Sequence, residues 1–139
     1  MDIARARFLR DDFAQGFPAY CGFTATRVEE GIFDSRLLVR PEHQQQDGFV
    51  HAGVLATMAD HTAGYSAFTL VEGGKRILTI EFKINFFKPA LGCLVNCRAR
   101  VINPGRQVMV AEAEVFSADA AGREKLVAKA TVTLMAVIL

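Results

Sequence analysis

The sequence predicts an α+β domain in which an antiparallel sheet of about six strands wraps around one long central helix, with a short helix at the N-terminus. Three observations carry this. An internal segment from about Gly53 to Val71 is apolar on almost every side and rich in small residues, so other structure must surround it. Four later segments alternate apolar and polar residues, the period of a strand with one buried face. Glycine- and proline-containing turns separate them.

The elements follow in order. Residues 3–16 carry Ile3, Ala4, Phe8, Leu9 and Phe13 at helical spacing, and Gly16-Phe17-Pro18 is expected to end that helix. Thr24 to Glu30 and Ile32 to Arg40 read as two strands joined at Glu30-Gly31. Pro41 to Asp47 is a polar loop in which His43 is expected to be solvated. The central helix carries Ala56, Ala59, Ala63, Gly64 and Ala67 among larger apolar residues, and Glu72-Gly73-Gly74-Lys75 supplies a glycine stop. After it, Ile80, Phe82, Ile84 and Phe86 alternate with Thr79, Glu81, Lys83 and Asn85. Cys93, Val95, Cys97, Ala99 and Val101 form the next apolar face, then Met109 to Val115, then Ala128 to Leu134. Arg98 and Arg100 are expected to pair with Glu112 and Glu114 across neighbouring strands.

Composition excludes several function classes. The chain has 139 residues, 51% of them hydrophobic, which suits a single domain over 1–139 with its own core. Its net charge is +1 and the charges are scattered, so no nucleic-acid surface is expected. No apolar run is long enough for a membrane span. Met1 to Arg7 lead into no apolar stretch, so no secretory signal is expected. Cys21, Cys93 and Cys97 are read as free thiols of a reducing, cytoplasmic setting. Cys93 and Cys97 would lie roughly 13 Å apart along one strand, too far for a disulfide. With no histidine near them they are assigned to core packing, and no metal or cofactor is expected.

Chemistry concentrates between Gly48 and Gly64. Asp60 lies two turns inside the apolar helix, and burying an ionised carboxylate costs several kcal/mol unless it is paired or used. Its helical neighbours Ala56, Thr57, Ala63 and Gly64 are small and none is basic, so Asp60 sits in a shallow trough. The helix start, near Ala52 and Gly53, offers unpaired N–H groups that would stabilise an oxyanion. A carboxylate that activates water or attacks directly, plus amide donors, is the apparatus of acyl transfer. Gly53 and Asp60 lie about 10 Å apart along the axis, so one helix cannot serve one substrate with both. Two antiparallel copies could, which implies a two-fold dimer with composite sites. The bland alternative pairs Asp60 with Lys83 or an arginine, or exposes it at a break in the helix.

The order of elements and the stretch from Gly48 to Gly64 resemble the hotdog-fold acyl-CoA thioesterases of the phenylacetate-pathway (PaaI-like) type, over nearly the whole chain. The family's histidine-glycine-glycine triplet followed by aspartate reads here His51-Ala52-Gly53 and Asp60, with alanine in place of the first glycine. Leu78 to Pro89 is similar to the family strand after the helix. The resemblance implies hydrolysis of an acyl-CoA to a free acid and coenzyme A, in a homodimer or a tetramer built from dimers. It gives Asp60 the role of base or nucleophile. The Ala52 N–H, helped by Gly53, polarises the thioester, and Thr79 orients water. Gln45 stands where the family often has asparagine, six residues before the histidine. His51 is placed on the substrate side, holding the loop before the helix, and Lys88 and Arg106, with Arg123 as a further candidate near a turn, are assigned to the nucleotide phosphates. Phe13, Phe17, Tyr20 and Phe23 are candidates for either an acyl pocket or core. The alternative function is a non-catalytic acyl-CoA-binding module, motivated by Gln45 and Ala52.

Overall fold

The computed structural model describes all 139 residues, Met1 to Leu139. The chain opens with helix α1, Ile3–Phe13, started by Asp2, whose carboxylate accepts from the Arg5 N–H at 2.7 Å. Helix α2, Gly16–Cys21, follows directly. The expected helix end at Gly16-Phe17-Pro18 is therefore a second helix start. Proline in a first turn loses no intrahelical hydrogen bond, which is why the same residues can begin a helix.

Strands β1, Thr24–Glu29, and β2, Ile32–Leu38, form the expected hairpin. Gly31 turns it at φ +75°, a conformation that disfavours any side chain. A single 3₁₀ turn, Pro41–His43, interrupts the following loop. His43 is buried there rather than solvated. Its Nδ1 accepts from the Arg40 N–H and its Nε2 contacts the Cys21 carbonyl, so it pins the loop to the end of α2.

Helix α3, Ala52–Phe68, is the central helix. It ends on Thr69 in right-handed conformation, not on a glycine; Gly73 and Gly74 instead turn the chain into β3. Strands β3, Arg76–Phe86, β4, Leu94–Asn103, β5, Val108–Ala118, and β6, Glu124–Val137, complete a six-stranded antiparallel sheet in the order β1-β2-β4-β5-β6-β3. No helix is long and apolar enough to cross a membrane.

The alternating faces meet α3 as expected. Val95, Cys97, Val115, Val132 and Leu134 are buried completely, together with Met58, Ala59, Ala63 and Ala67 of the helix. The small helical residues let α3 approach the sheet closely, and the Ser35 and Thr62 hydroxyls join β2 to α3 at 2.7 Å within this core. Phe13 and Phe23 belong to the core, whereas Phe17 and Tyr20 are exposed. On the opposite face Arg100 pairs with Glu112 as expected, while Arg98 reaches Glu124 instead of Glu114. Cys97 is buried and its thiol is pushed up to about 12 by desolvation. Cys93 is exposed, because β4 begins only at Leu94 and the preceding bend lies outside the sheet.

Strand β3 departs most from expectation. It lies at the sheet edge and pairs with β6 alone. Its register shifts between Thr79 and Glu81, so Ile80 falls out of the alternation. Ile84 packs on the core, but Leu78, Ile80, Phe82 and Phe86 are exposed.

Candidate active site

Two clusters form at different places along α3. The first surrounds Asp60. Asp60 is half-buried, not enclosed as the apolar sequence context suggested, and its carboxylate meets β3 at an exposed position. The Thr79 hydroxyl donates to Asp60 Oδ1 at 2.7 Å. Neither Lys83 nor any arginine forms an ion pair with Asp60. Asp60 and Thr79 face a cavity of about 110 Å³, whose walls include His61, Gly64, Tyr65 and Arg76. A carboxylate with one oxygen bonded to a hydroxyl and the other free can accept a proton from water or attack a carbonyl.

His61 follows Asp60 but belongs to the packing. Its ring lies 4.3 Å from that of Phe13, and Nε2 donates to the Phe13 carbonyl at 2.9 Å. Burial lowers its pKa from the ordinary histidine value.

The second cluster lies at the start of α3. His51 caps the helix, its Nδ1 accepting from the Gly53 N–H at 2.7 Å. A Cβ on Gly53 would come within 2.9 Å of that nitrogen, so the close approach requires glycine. This bond also occupies the Gly53 amide, which removes it from the expected donor pair. The Val54 and Leu55 amides donate to the His51 carbonyl. The Ala52 N–H has no acceptor and remains available for an oxyanion at the positive end of the helix. Alanine serves here because the position is helical and needs no positive φ.

Gln45 lines the same groove as this amide, and its side chain bonds to its own loop. Its Oε1 accepts from the Asp47 and Phe49 N–H groups at 2.6 and 3.1 Å, and its Nε2 donates to Asp47 at 3.3 Å. The side chain thus folds the loop before the helix. Gln45, Ala52, Leu55, Phe86, Phe87 and Lys88 line an open groove of about 370 Å³. Arg106 does not join them. It lies near Leu70 and Lys75, beyond the other end of α3.

A third group was not visible in the sequence. Asp12 of α1 accepts from the Tyr65 hydroxyl at 2.7 Å and from Arg76 at 2.8 Å, both through Oδ2. Burial, followed by the Asp12 contact, pushes the Tyr65 hydroxyl well above its ordinary value, so it stays a donor. Arg5 reaches the Phe68 and Val71 carbonyls and so satisfies the C-terminal end of α3. No local pattern announces contacts between residues more than fifty positions apart.

Residues 47–133 match the thioesterase superfamily, a stretch that contains His51, Ala52, Asp60 and Thr79. A thioesterase family protein from Silicibacter pomeroyi superposes with a TM-score of 0.92 at 38% identity, over 97% of this chain and 99% of that one. A phenylacetic acid degradation-related protein from Ralstonia eutropha JMP134 superposes with a TM-score of 0.78 at 29% identity, over 94% and 98% of the two chains. A 1,4-dihydroxy-2-naphthoyl-CoA hydrolase from Listeria monocytogenes is 26% identical over 100 residues, covering 72% of this chain and 81% of that protein. Among four relatives matched by sequence, the shared stretch spans between 65% and 81% of their lengths. The long apolar helix in its curled sheet, the carboxylate at its middle and the family match over 47–133 agree: this chain belongs to the thioesterase superfamily and is a thioester hydrolase on the hotdog fold.

Proposed function

We propose that the substrate is an acyl-CoA and that Asp60 activates water, or attacks the thioester directly, at a site shared between two subunits. The single observation that carries this is the split of the machinery along α3. The free Ala52 amide and the Asp60 carboxylate lie eight residues apart, about 12 Å along the axis. A reacting carbon must lie roughly 3 Å from both attacking atom and oxyanion donor, so they serve different substrates within one chain.

The uncovered edge of β3 supports a partner. It is eleven residues long, and Leu78, Ile80 and Phe82 are 50%, 53% and 38% exposed. A long apolar edge is a template for pairing with another chain. Antiparallel pairing of two β3 strands brings two α3 helices side by side in opposite directions, each Asp60 facing the other subunit's Ala52. The acyl carbonyl then accepts from that amide, while Thr79 fixes Asp60 for proton abstraction or attack. Lys88, at the rim of the groove beside Ala52, is the cation best placed for a nucleotide phosphate. Gln45 and His51 shape the amide end. Neither metal nor organic cofactor is required. Assembly into a tetramer and a cytoplasmic location fit the resemblance and the three free cysteines.

The direct test is a panel of acyl-CoAs with detection of the released thiol. Hydrolysis that disappears in Asp60→Ala supports the reading. Tight binding of acyl-CoA without turnover by the unaltered protein would replace it with a binding module. Mixing Asp60→Ala with Ala52→Pro tests the shared site. Random reassortment restores about a quarter of normal activity if each site takes one residue from each subunit, and none if each chain carries a complete site.

A further inference from the structure

Two polar links span the cavity between α3 and the start of β3. One is the Thr79 hydroxyl on Asp60. The other is Asp12, which does not line the cavity but holds two residues that do, Tyr65 of α3 and Arg76 of β3. Tyr65 lies five residues after Asp60, and Arg76 three residues before Thr79. One carboxylate oxygen on α1 therefore ties together the helix that carries the acid and the strand that carries its hydroxyl partner.

The strand needs such a tie. Within one chain it is an edge strand laddered on one side only, and its register breaks at Ile80, immediately after the residue that meets Asp60. The Asp12 side chain is only 12% exposed, so its charge-assisted bonds are shielded from water. Arg76 also lies over the Phe68 ring, 4.9 Å from its centroid, which adds a second attachment of β3 to α3. We propose that Asp12 is a positioning residue for the hydrolysis: through Tyr65 and Arg76 it holds β3 against α3 so that the Thr79 hydroxyl stays on the Asp60 carboxylate. This rests on the role given to Asp60 above.

The test is a double-mutant cycle on the full-length protein, reading kcat, KM and Tm for Asp12→Asn, Thr79→Ala and the pair. Asp12→Asn lowers kcat by about five- to ten-fold with KM changed less than about two-fold, and in the Thr79→Ala background it lowers kcat by less than about two-fold. Tyr65→Phe keeps the ring and its packing, so it guards against a folding defect; it moves kcat in the same direction and is equally silent once Thr79 is gone. A structural clamp alone would lower Tm and leave kcat unchanged, or reduce kcat by the same factor in both backgrounds, and either result overturns the inference. An Asp60→Ala enzyme that turns over normally overturns the base assignment and this inference with it. An inactive Asp60→Ala enzyme with additive Asp12 and Thr79 effects overturns this inference alone.

Discussion

The two ends of the α3 machinery are held by different kinds of contact. At the start of the helix the supports are local: His51 bonds to Gly53, and Gln45 to Asp47 and Phe49. At the middle they are distant: Thr79 lies nineteen residues from Asp60, and Asp12 lies fifty-three from Tyr65 and sixty-four from Arg76. The amide end needs its own loop and the bond from the Val50 N–H to the Ala90 carbonyl, but nothing from α1. The acid end is complete only when α1, α3 and β3 have all docked. Perturbing α1 is therefore expected to reach Asp60 and to spare the Ala52 amide.

The largest effect expected from breaking this arrangement is at Asp60. Asp60→Asn keeps the shape and removes the charge, so kcat should fall by about 10²–10⁴ while Tm changes little. Near-normal hydrolysis by a folded variant would remove the carboxylate from the mechanism. Next comes the amide end. Ala52 is the first helical residue, and His51 before it is extended at φ −60° and ψ 137°, so proline fits Ala52 without disturbing the helix. Ala52→Pro should cost about 10²–10³ in kcat by deleting one oxyanion donor, with the circular dichroism spectrum unchanged. Full activity would mean that another group binds the thioester oxygen.

A smaller effect separates the ends by stability. His51→Ala removes the ring that caps the Gly53 N–H, which should cost about 1 kcal/mol in chemical denaturation. A neutral result would show that water serves that N–H as well as the ring does. The smallest effect is a pH dependence of the acid end. The folded-state pKa of His61 is depressed, first by burial, so the unfolded chain takes up its proton more readily. The stability from neutral His61 is present above about pH 6.5 and is lost as pH falls through the depressed folded value. Tm of the native protein should therefore drop more than that of His61→Gln on going from about pH 7 to pH 5. Parallel curves would assign the loss to other groups.

The same contrast explains what could be read from the sequence. Strand alternation and the apolar helix between Gly53 and Val71 reflect burial over many residues, so the sheet and its central rod were legible. Asp60 stands out as the lone carboxylate of that helix, whereas the resemblance marks Thr79 only as a hydroxyl that orients water, and its bond to Asp60 belongs to the fold. The β3 break at Ile80 was not legible, because it depends on pairing with β6. His43 read as solvated from its polar neighbours, yet the end of α2 folds over it. The second helix was missed because Gly16 and Pro18 punctuate starts as readily as stops. Gly53 read as an oxyanion donor until the side chain two residues earlier claimed its N–H. Arg106 was grouped with Lys88 by charge and turn position, neither of which reports distance in space.

The match to the superfamily model begins at residue 47, whereas Asp12 and Arg5 precede it. If Asp12 positions Thr79 as proposed, the leading segment is an exchangeable tuner: substitutions there would reset turnover while every residue of the matched stretch stays the same. Swapping residues 1–22 between homologues would transfer rate without transferring the reaction.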